Sequence, residues 1–255
     1  HCTCRRQRQM CIRDRSYAQE IEEKLEEVKY RNIGPFRGGR SVSSVGVVND
    51  PLTYYMGTAG GGLWKTTNAG SEWFNISDDY FKTSSVGAIA VSESDSRIIY
   101  VGMGEHSPRG VTTSYGDGIY KSTDAGETWE HLGLDNTQQI SRIIIHPDDN
   151  NIVYVAAQGA INGPTKERGI YKSIDGGKTW RNVLFVNELS GASELSIDIN
   201  NPKVLYATMW EHQRLPWKVI SGGEGSGVYK STDGGENWFK IENGLPDELG
   251  KLAIS

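Results

Sequence analysis

The chain has little cysteine and no long apolar run. Its only thiols, Cys2, Cys4 and Cys11, lie within the first eleven of its 255 residues. The remainder therefore has no disulfide framework, and a lone Cys2-x-Cys4 does not predict a metal or redox site. No apolar stretch reaches the length of about 20 residues that a membrane-spanning helix needs, so we expect no membrane insertion.

Basic residues are also in the minority. Lysine and arginine number 27 against 32 aspartates and glutamates, which gives a formal net charge of −5. Five of the arginines lie within residues 1–15, so the rest of the chain is more acidic still. An acidic domain without basic runs argues against nucleic acid as a partner.

The first thirty residues differ in character from the rest. Residues 5–15 resemble the translation of a transposon-end adaptor used in sequencing libraries. We therefore interpret 1–15 as a sequencing-adaptor artefact, with a disordered basic tail as the alternative, and leave it out of fold reasoning. In residues 16–30, Ile21, Leu25 and Val28 recur at helical spacing, which predicts a short amphipathic helix.

What the chain does contain is a repeat. Residues 118–129 read GIYKSTDAGETW, closely similar strings occupy 169–180 and 227–238, and a looser copy occupies 62–73. Each copy predicts a β-hairpin, because β-branched and aromatic residues precede a turn of Asp or Asn with Gly. The tryptophan that follows offers an apolar face to a neighbouring unit. The residues to which we assign these structural roles are Asn68, Trp73, Asp124, Gly126, Trp129, Asp175, Gly177, Trp180, Asp233, Gly235 and Trp238.

Two further strands precede each hairpin, and the second of them contains a tyrosine in every unit: Tyr55, Tyr100, Tyr154 and Tyr206. Units of about 40–50 residues with four strands are typical of propeller blades. We therefore predict an all-β fold in which residues 31–255 form four four-stranded antiparallel blades. Residues 252–255 are predicted to be the first strand of a fifth, so we interpret the chain as a fragment of a longer product.

The connection between the second and third strands is the part of the repeat whose length varies. Loop variation on a rigid scaffold is where function is usually found. The side chains that we expect on this face, as ligand-binding candidates, are Arg37, Arg40, Glu105, His106, Arg109, Glu211, His212, Arg214 and Trp217. The third unit should add the charged residues Lys166, Glu167 and Arg168 to the same face.

This mixture of side chains suits a sugar, and it equally suits a peptide terminus or carboxylate held by arginine. The alternative is that Glu105 with Arg109, and Glu211 with Arg214, are local ion pairs that shape their loops. No histidine has metal-ligand spacing, so we predict neither a metal nor a cofactor.

The pattern Ser/Thr-x-Asp-x-Gly-x-Thr-Trp resembles the Asp box, or BNR repeat, of β-propellers. With Asn32–Arg40 and Gly60–Lys65, it makes most of the chain similar to bacterial proteins labelled glycosyl hydrolase, BNR-repeat or sortilin N-terminal domain-like. The resemblance implies a secreted, periplasmic or envelope-associated protein, in which further blades of the same chain flank these four.

The resemblance leaves the activity open. The Arg-Ile-Pro opening of sialidases is missing, and Ala59 stands where propellers that cleave xyloglucan have a catalytic Asp. No catalytic residue is therefore assigned. We expect a module that binds a glycan, a peptide or a protein. The alternatives are a sialidase-like or xyloglucanase-like glycoside hydrolase with carboxylates partly outside this chain, and an assembly scaffold resembling photosystem II stability factors.

Overall fold

The computed structural model describes residues 39–108 and 113–254. The adaptor-like segment 1–15 and the predicted helix at 16–30 lie outside these residues, so both stay predictions. The described part is all-β and consists of four antiparallel sheets, which confirms the predicted fold class.

Helical structure in the described part is limited to one turn of 3-10 helix at Asp135–Thr137. None of the helices found among the described residues is long and apolar enough to cross a lipid bilayer.

Each sheet corresponds to one sequence repeat, and we call it a blade. Blade 1 consists of β1 (Ser41–Val47), β2 (Asp50–Thr58), β3 (Leu63–Thr66) and β4 (Phe74–Asn75). Blade 2 consists of β5 (Val86–Val91), β6 (Ile99–Met103), β7 (Ile119–Ser122) and β8 (Glu130–His131). Blade 3 consists of β9 (Ile140–Ile145), β10 (Val153–Ala157), β11 (Gly169–Ser173) and β12 (Arg181–Leu184).

Blade 4 consists of β13 (Ser190–Ile197), β14 (Leu205–Leu215), β16 (Gly227–Ser231) and β17 (Phe239–Ile241), with an additional strand, β15 (Lys218–Ser221). Neighbouring strands follow each other in the chain, except that β15 is inserted between β14 and β16 in blade 4, so every blade is an antiparallel meander.

The apolar core lies between the blades. Leu63 of blade 1 packs with Val86 and Met103 of blade 2 in one buried cluster. A second cluster joins blades 2 and 3, and a third joins blades 3 and 4. Because blades 2 and 3 are covered on both faces, β6 and β10 are buried along their whole length.

The first strands of the four blades surround an axial cavity of about 730 Å³. Its wall combines aliphatic side chains such as Ile89 and Ile143 with polar ones such as Ser44 and Ser196. One ion pair, Arg142 with Glu194 at 3.4 Å, also lines it.

The Asp-box turns are held by the side chains that define the repeat. Asp124 accepts hydrogen bonds from the Thr128 N–H (2.9 Å) and the Ser122 hydroxyl (2.7 Å). The same hydroxyl accepts the Gly126 N–H at 2.8 Å. Asp175 and Asp233 accept the equivalent hydrogen bonds in their own turns. In blade 1 the amide oxygen of Asn68 accepts them in place of a carboxylate.

Gly126 is required by the backbone of its turn. Its φ is 89°, in the left-handed region where a side chain is strained. A Cβ there would also lie 2.8 Å from the Cδ1 of Ile76 in blade 1, so that the end of the Ile76 side chain would have to move.

The Asp-box tryptophans connect neighbouring blades. The indole N–H of Trp129 donates to the carbonyl of Ile76 in blade 1 (3.0 Å), and that of Trp180 donates to Leu132 in blade 2 (2.9 Å). Trp238 instead donates within its own turn. All three rings pack against the apolar cluster that their own blade shares with the preceding blade.

Blade 4 departs from the predicted four-strand pattern. β14 continues past the end of the blade and pairs with β15, from His212 opposite Ser221 to Leu215 opposite Lys218. The prediction that residues 211–214 form a loop is therefore wrong. The long insertion satisfies its backbone hydrogen bonds by pairing with itself, which an irregular loop of this length could not do.

The residues after blade 4 run back towards the first strands without forming a strand themselves. The carbonyl of Leu252 accepts hydrogen bonds from the hydroxyls of Ser193 (3.2 Å) and Thr208 (3.1 Å). The carbonyl of Ala192 accepts a bond from Ser141 of blade 3 in the same way (2.7 Å). A first strand of a fifth unit at 252–255 stays a prediction.

Candidate functional site

The connections of each meander leave at two opposite ends. At one end are the Asp-box turns and the connections between first and second strands, which are bonded together, as in Ala125 N–H to Arg97 carbonyl (2.9 Å). The connections between second and third strands leave at the other end, because neighbouring strands run in opposite directions. We call this other end the loop face.

Glu105 follows β6 and is fully buried. Its carboxylate forms an ion pair with Arg40 from the start of blade 1, and it accepts the Ser114 N–H at 3.3 Å. Arg40 also donates to the Ser107 carbonyl at 3.0 Å. The pair therefore joins blade 1 to the blade 2 loop, and a ligand cannot reach this carboxylate without displacing its partners.

His106 lies beside this ion pair. Burial lowers the pKa of its imidazole to about 4, and the positive charge of Lys251 acts in the same direction. The ring is therefore neutral at physiological pH. Arg109, which was predicted next to it as a ligand-binding residue, lies outside the described residues, as does Arg37.

Glu211 lies in β14, and it is used within its own blade. Its carboxylate accepts the N–H of Gly225 at 3.1 Å, and its own N–H donates to the Ser226 hydroxyl at 3.0 Å. The side chain therefore holds the connection between β15 and β16. Part of it remains solvent-accessible.

His212, predicted to face a ligand, is only 3% exposed. Its ring stacks on that of Trp210, with centroids 4.0 Å apart and planes at 21°. The indole N–H of Trp210 donates to Ser221 across the hairpin (3.2 Å). Trp210 and His212 are two positions apart, so both rings lie on the same, buried side of β14. They form the base of the β14–β15 hairpin, which we call the arm.

Trp217 lies in the turn at the tip of this arm and is 81% exposed. The arm itself is fixed to blade 3, because the Arg214 N–H donates to the Ile161 carbonyl at 2.6 Å. A large aromatic face is thus presented to solvent on a supported hairpin. Of the predicted ligand-binding residues that are described, Trp217 is the most exposed aromatic.

Arg168, which the sequence suggested as a further charge on this face, is completely buried. Its guanidinium donates to the carbonyls of Gln158 (2.9 Å), Leu189 (3.2 Å) and Gly163 (2.9 Å), and also to Ala160. Burial lowers its pKa to about 10. It therefore acts as an internal clamp for the blade 3 loop.

A cavity of about 570 Å³ opens at the loop face between blades 1 and 2. It extends from Gly62, beside the short blade 1 loop, to Tyr115 in the blade 2 loop. Hydroxyl groups predominate among its polar lining residues, with one carboxylate and one ammonium group: Ser77, Asp78, Lys82, Thr83, Ser84, Ser85, Thr113 and Ser114.

Neither this cavity nor Tyr115, its exposed aromatic residue, was predicted from the sequence. Tyr115 is 66% exposed, and Thr83 nearby donates to the Asp117 carboxylate at 2.8 Å. Tyr115 lies in a connection that was already identified as variable, so its position was a usable signal. From this connection only Glu105, His106 and Arg109, which lie at its start, were selected from the sequence.

The described residues contain no group of three or more His, Cys, Asp or Glu side chains able to hold a metal ion. The loop face therefore offers hydroxyl groups, aromatic rings and scattered charges. Such a surface can bind a ligand through hydrogen bonds and ring stacking.

Comparison with known protein families shows to which family the chain belongs. The family model Sortilin-Vps10, described as sortilin, neurotensin receptor 3, matches residues 117–247, just over half of the chain. This chain belongs to the Sortilin-Vps10 family. In this Sortilin-Vps10 chain the match takes in blades 3 and 4 and the second half of blade 2.

The same Sortilin-Vps10 chain is 24% identical over 237 residues to a xyloglucanase of Paenibacillus sp, covering 79% of this chain and 22% of that protein. It is 26% identical over 219 residues to the xyloglucanase Xgh74A of Acetivibrio thermocellus, covering 76% and 25%. The crystal structure of an ancestral GH74 enzyme superposes with a TM-score of 0.62 at 20% identity, covering 81% and 26%. The chain thus spans about a quarter of the length of these relatives.

Proposed function

We propose that this chain is the polysaccharide-binding part of a xyloglucanase-like propeller protein. The two xyloglucanases to which it is similar support this choice over a peptide receptor. Since the chain covers about a quarter of their length, the activity of the whole protein is part of the proposal.

The observation that carries the proposal is the hydroxyl-lined cavity of about 570 Å³ between blades 1 and 2. A neutral sugar needs hydrogen-bond partners for its hydroxyl groups and an aromatic face for its ring. Thr83, Ser84 and Ser114 supply the former, and the exposed ring of Tyr115 supplies the latter. The axial cavity is larger, but none of the described residues that line it is aromatic, so it offers a sugar ring no face on which to stack.

The chain has no catalytic carboxylate at position 59, where the resemblance to xyloglucan-cleaving propellers would place an Asp. β2 ends at Thr58, and the next residue, Ala59, is 5% exposed and cannot act as an acid or base. A glycosidase ordinarily needs a pair of carboxylates. We therefore assign binding to this chain, and assign hydrolysis by the whole protein to carboxylates outside it.

Calorimetric titration with xyloglucan oligosaccharides tests the binding proposal. We expect binding by the chain, and we expect Tyr115→Ala to weaken it roughly tenfold, which is the order of one aromatic contact. Phe239→Ala is the matched control, since Phe239 is 65% exposed on an outer strand and away from the cavity. Equal affinities of all three proteins, or binding of peptides in place of the oligosaccharide, would overturn the proposal.

Release of reducing ends from xyloglucan tests the assignment of cleavage. The chain by itself should release none while still binding the polysaccharide. Hydrolysis by the chain alone would show that a carboxylate within it is catalytic.

A further inference from the structure

In blades 1, 2 and 3 the second strand carries a tyrosine that reaches into the next blade. Its acceptor is always the carbonyl of the residue between the Asp and the Gly of the following Asp box. The three contacts are Tyr55 to Ala125 (3.1 Å), Tyr100 to Gly176 (2.9 Å) and Tyr154 to Gly234 (2.8 Å).

A lysine directly opposite each tyrosine donates to the same carbonyl. These bonds are Lys65 to Ala125 (2.9 Å), Lys121 to Gly176 (3.0 Å) and Lys172 to Gly234 (2.8 Å). Each ammonium group also lies over the ring of its own tyrosine, 5.6, 5.1 and 5.6 Å from the centroid. This distance is within the range of a cation–π contact.

The geometry of the turn explains why this carbonyl is available. Ala125, Gly176 and Gly234 have φ values of 62°, 73° and 74°. In this left-handed conformation the turn directs the carbonyl towards the preceding blade. Burial raises the pKa of Tyr55 and of Tyr154 to about 12, so both phenols remain hydrogen-bond donors.

Blade 4 carries the same pair. Tyr206 and Lys230 stand opposite each other on β14 and β16, and the Lys230 ammonium lies 5.2 Å from the centroid of the Tyr206 ring. Within the described residues no Asp-box carbonyl accepts a hydrogen bond from this pair. The donors are arranged as at the three blade boundaries.

We propose that Tyr206 and Lys230 form a docking site for the Asp-box turn of a fifth blade of the same polypeptide. The occupant is a turn of the type Ser/Thr-x-Asp-Ala/Gly-Gly, which presents its central carbonyl to both donors. Two observations favour a blade in the same polypeptide over a separate partner. The Leu252 carbonyl accepts a hydrogen bond from Ser193 as the Ala192 carbonyl of blade 4 accepts one from Ser141, and the relatives are between about three and four times as long as this chain.

The proposal is tested with a longer protein in which one additional blade follows blade 4 at the same spacing as blade 4 follows blade 3. Ile241 pairs with Val228 as Leu184 pairs with Ile170, so these two residues are equivalent. A copy of residues 185–241 joined directly after Ile241 therefore continues the array. Amide hydrogen exchange, followed by mass spectrometry, then measures protection of the added Asp-box hairpin.

We expect the added hairpin to be protected, and we expect Tyr206→Phe with Lys230→Met in the original blade 4 to speed its exchange about tenfold. The same two substitutions placed in the added copy are the matched control, because no blade follows that copy. They should leave the exchange of the added hairpin unchanged.

Three outcomes contradict the proposal. Equal effects of the two pairs of substitutions would show that the pair stabilises only its own blade. An added hairpin that is unprotected although the original pair is intact would show that no docking occurs. If the unextended chain formed dimers, and the Tyr206 and Lys230 substitutions made these dimers dissociate, the site would bind a second copy of the chain.

Discussion

The phenol of Tyr100 in blade 2 donates a 2.9 Å hydrogen bond to the carbonyl of Gly176 in the Asp-box turn of blade 3. The tyrosine is fully buried, so loss of its phenol removes one of the two side-chain donors of this carbonyl at the blade boundary, the other being the Lys121 ammonium. We predict that Tyr100→Phe lowers the free energy of unfolding by about 1–2 kcal/mol.

The control for this prediction is Tyr206→Phe in the unextended chain, where the described residues place no turn carbonyl on the phenol. Urea unfolding followed by tryptophan fluorescence compares the two variants. An equal loss of stability in both would show that the hydrogen bond across the boundary contributes nothing.

The Asp-box carboxylates should matter for stability and not for ligand binding. Asp124→Ala removes the acceptor of the Thr128 N–H and of the Ser122 hydroxyl, so we expect the free energy of unfolding to fall by about 1–3 kcal/mol. Glu127→Ala, at an exposed position of the same turn, should change it little. Thermal unfolding and oligosaccharide titration are measured on both variants, and a stable Asp124→Ala protein that no longer binds would contradict our assignment of faces.

The fold could be predicted from the sequence because its determinants are local. The bonds of Asp124 join residues at most four positions apart, so the string Ser-x-Asp-x-Gly-x-Thr carries the whole turn. The positions of Tyr100 and Trp129 follow from the same repeat. The extended strand β14 was missed, because the repeat itself does not encode an insertion.

The candidate site was predicted less well because long-range packing decides it. Glu105 was considered with its neighbour Arg109, yet its ion pair is with Arg40, 65 positions away. Arg168 was expected at the surface, whereas four backbone carbonyls hold it inside. Such partners have no signature in a single sequence. Trp217 could be selected as a ligand-binding candidate because it lies outside the repeated blade pattern, and its side chain is 81% exposed.

Arg168 should be one of the most sensitive positions of blade 3. Arg168→Met keeps much of the side-chain volume but leaves several buried carbonyls without a donor, so we predict a loss of roughly 3 kcal/mol or more. The neighbouring exposed Lys166→Met should have almost no effect. Chemical unfolding measures the free energy of unfolding of both variants. If Arg168→Met lost no more of it than Lys166→Met, Arg168 would not hold the blade 3 loop in place.

His212 should make stability depend on pH. Burial lowers the pKa of its imidazole to about 4 from its ordinary value of 6.5, and the positive charges of Arg168, Arg214 and Lys251 add to the effect. Between pH 6.5 and 4 the unfolded chain binds a proton that the folded chain does not, so stability falls as the pH falls.

The variant His212→Phe retains a ring on Trp210 and removes this titration. The difference in unfolding free energy between the two proteins should therefore change by up to about 3 kcal/mol from pH 7 to pH 4, in favour of the variant at low pH. Urea unfolding at a series of pH values measures it. A difference that is constant over this range would show that the histidine is accessible to protons in the folded state.

Trp217 is the residue on which the proposed binding face can be tested with least risk to the fold. Its side chain is 81% exposed at the tip of the β14–β15 arm, so Trp217→Ala should leave the unfolding temperature unchanged. Loss of its aromatic face should weaken binding of a long xyloglucan chain by about 1–3 kcal/mol. Since that polysaccharide is neutral, the affinity of both proteins should not depend on salt concentration, whereas an anionic ligand held by Arg214 would bind more weakly as salt rises. Titrations at low and high salt therefore distinguish the two ligands, and unchanged binding by Trp217→Ala would place the arm outside the binding face.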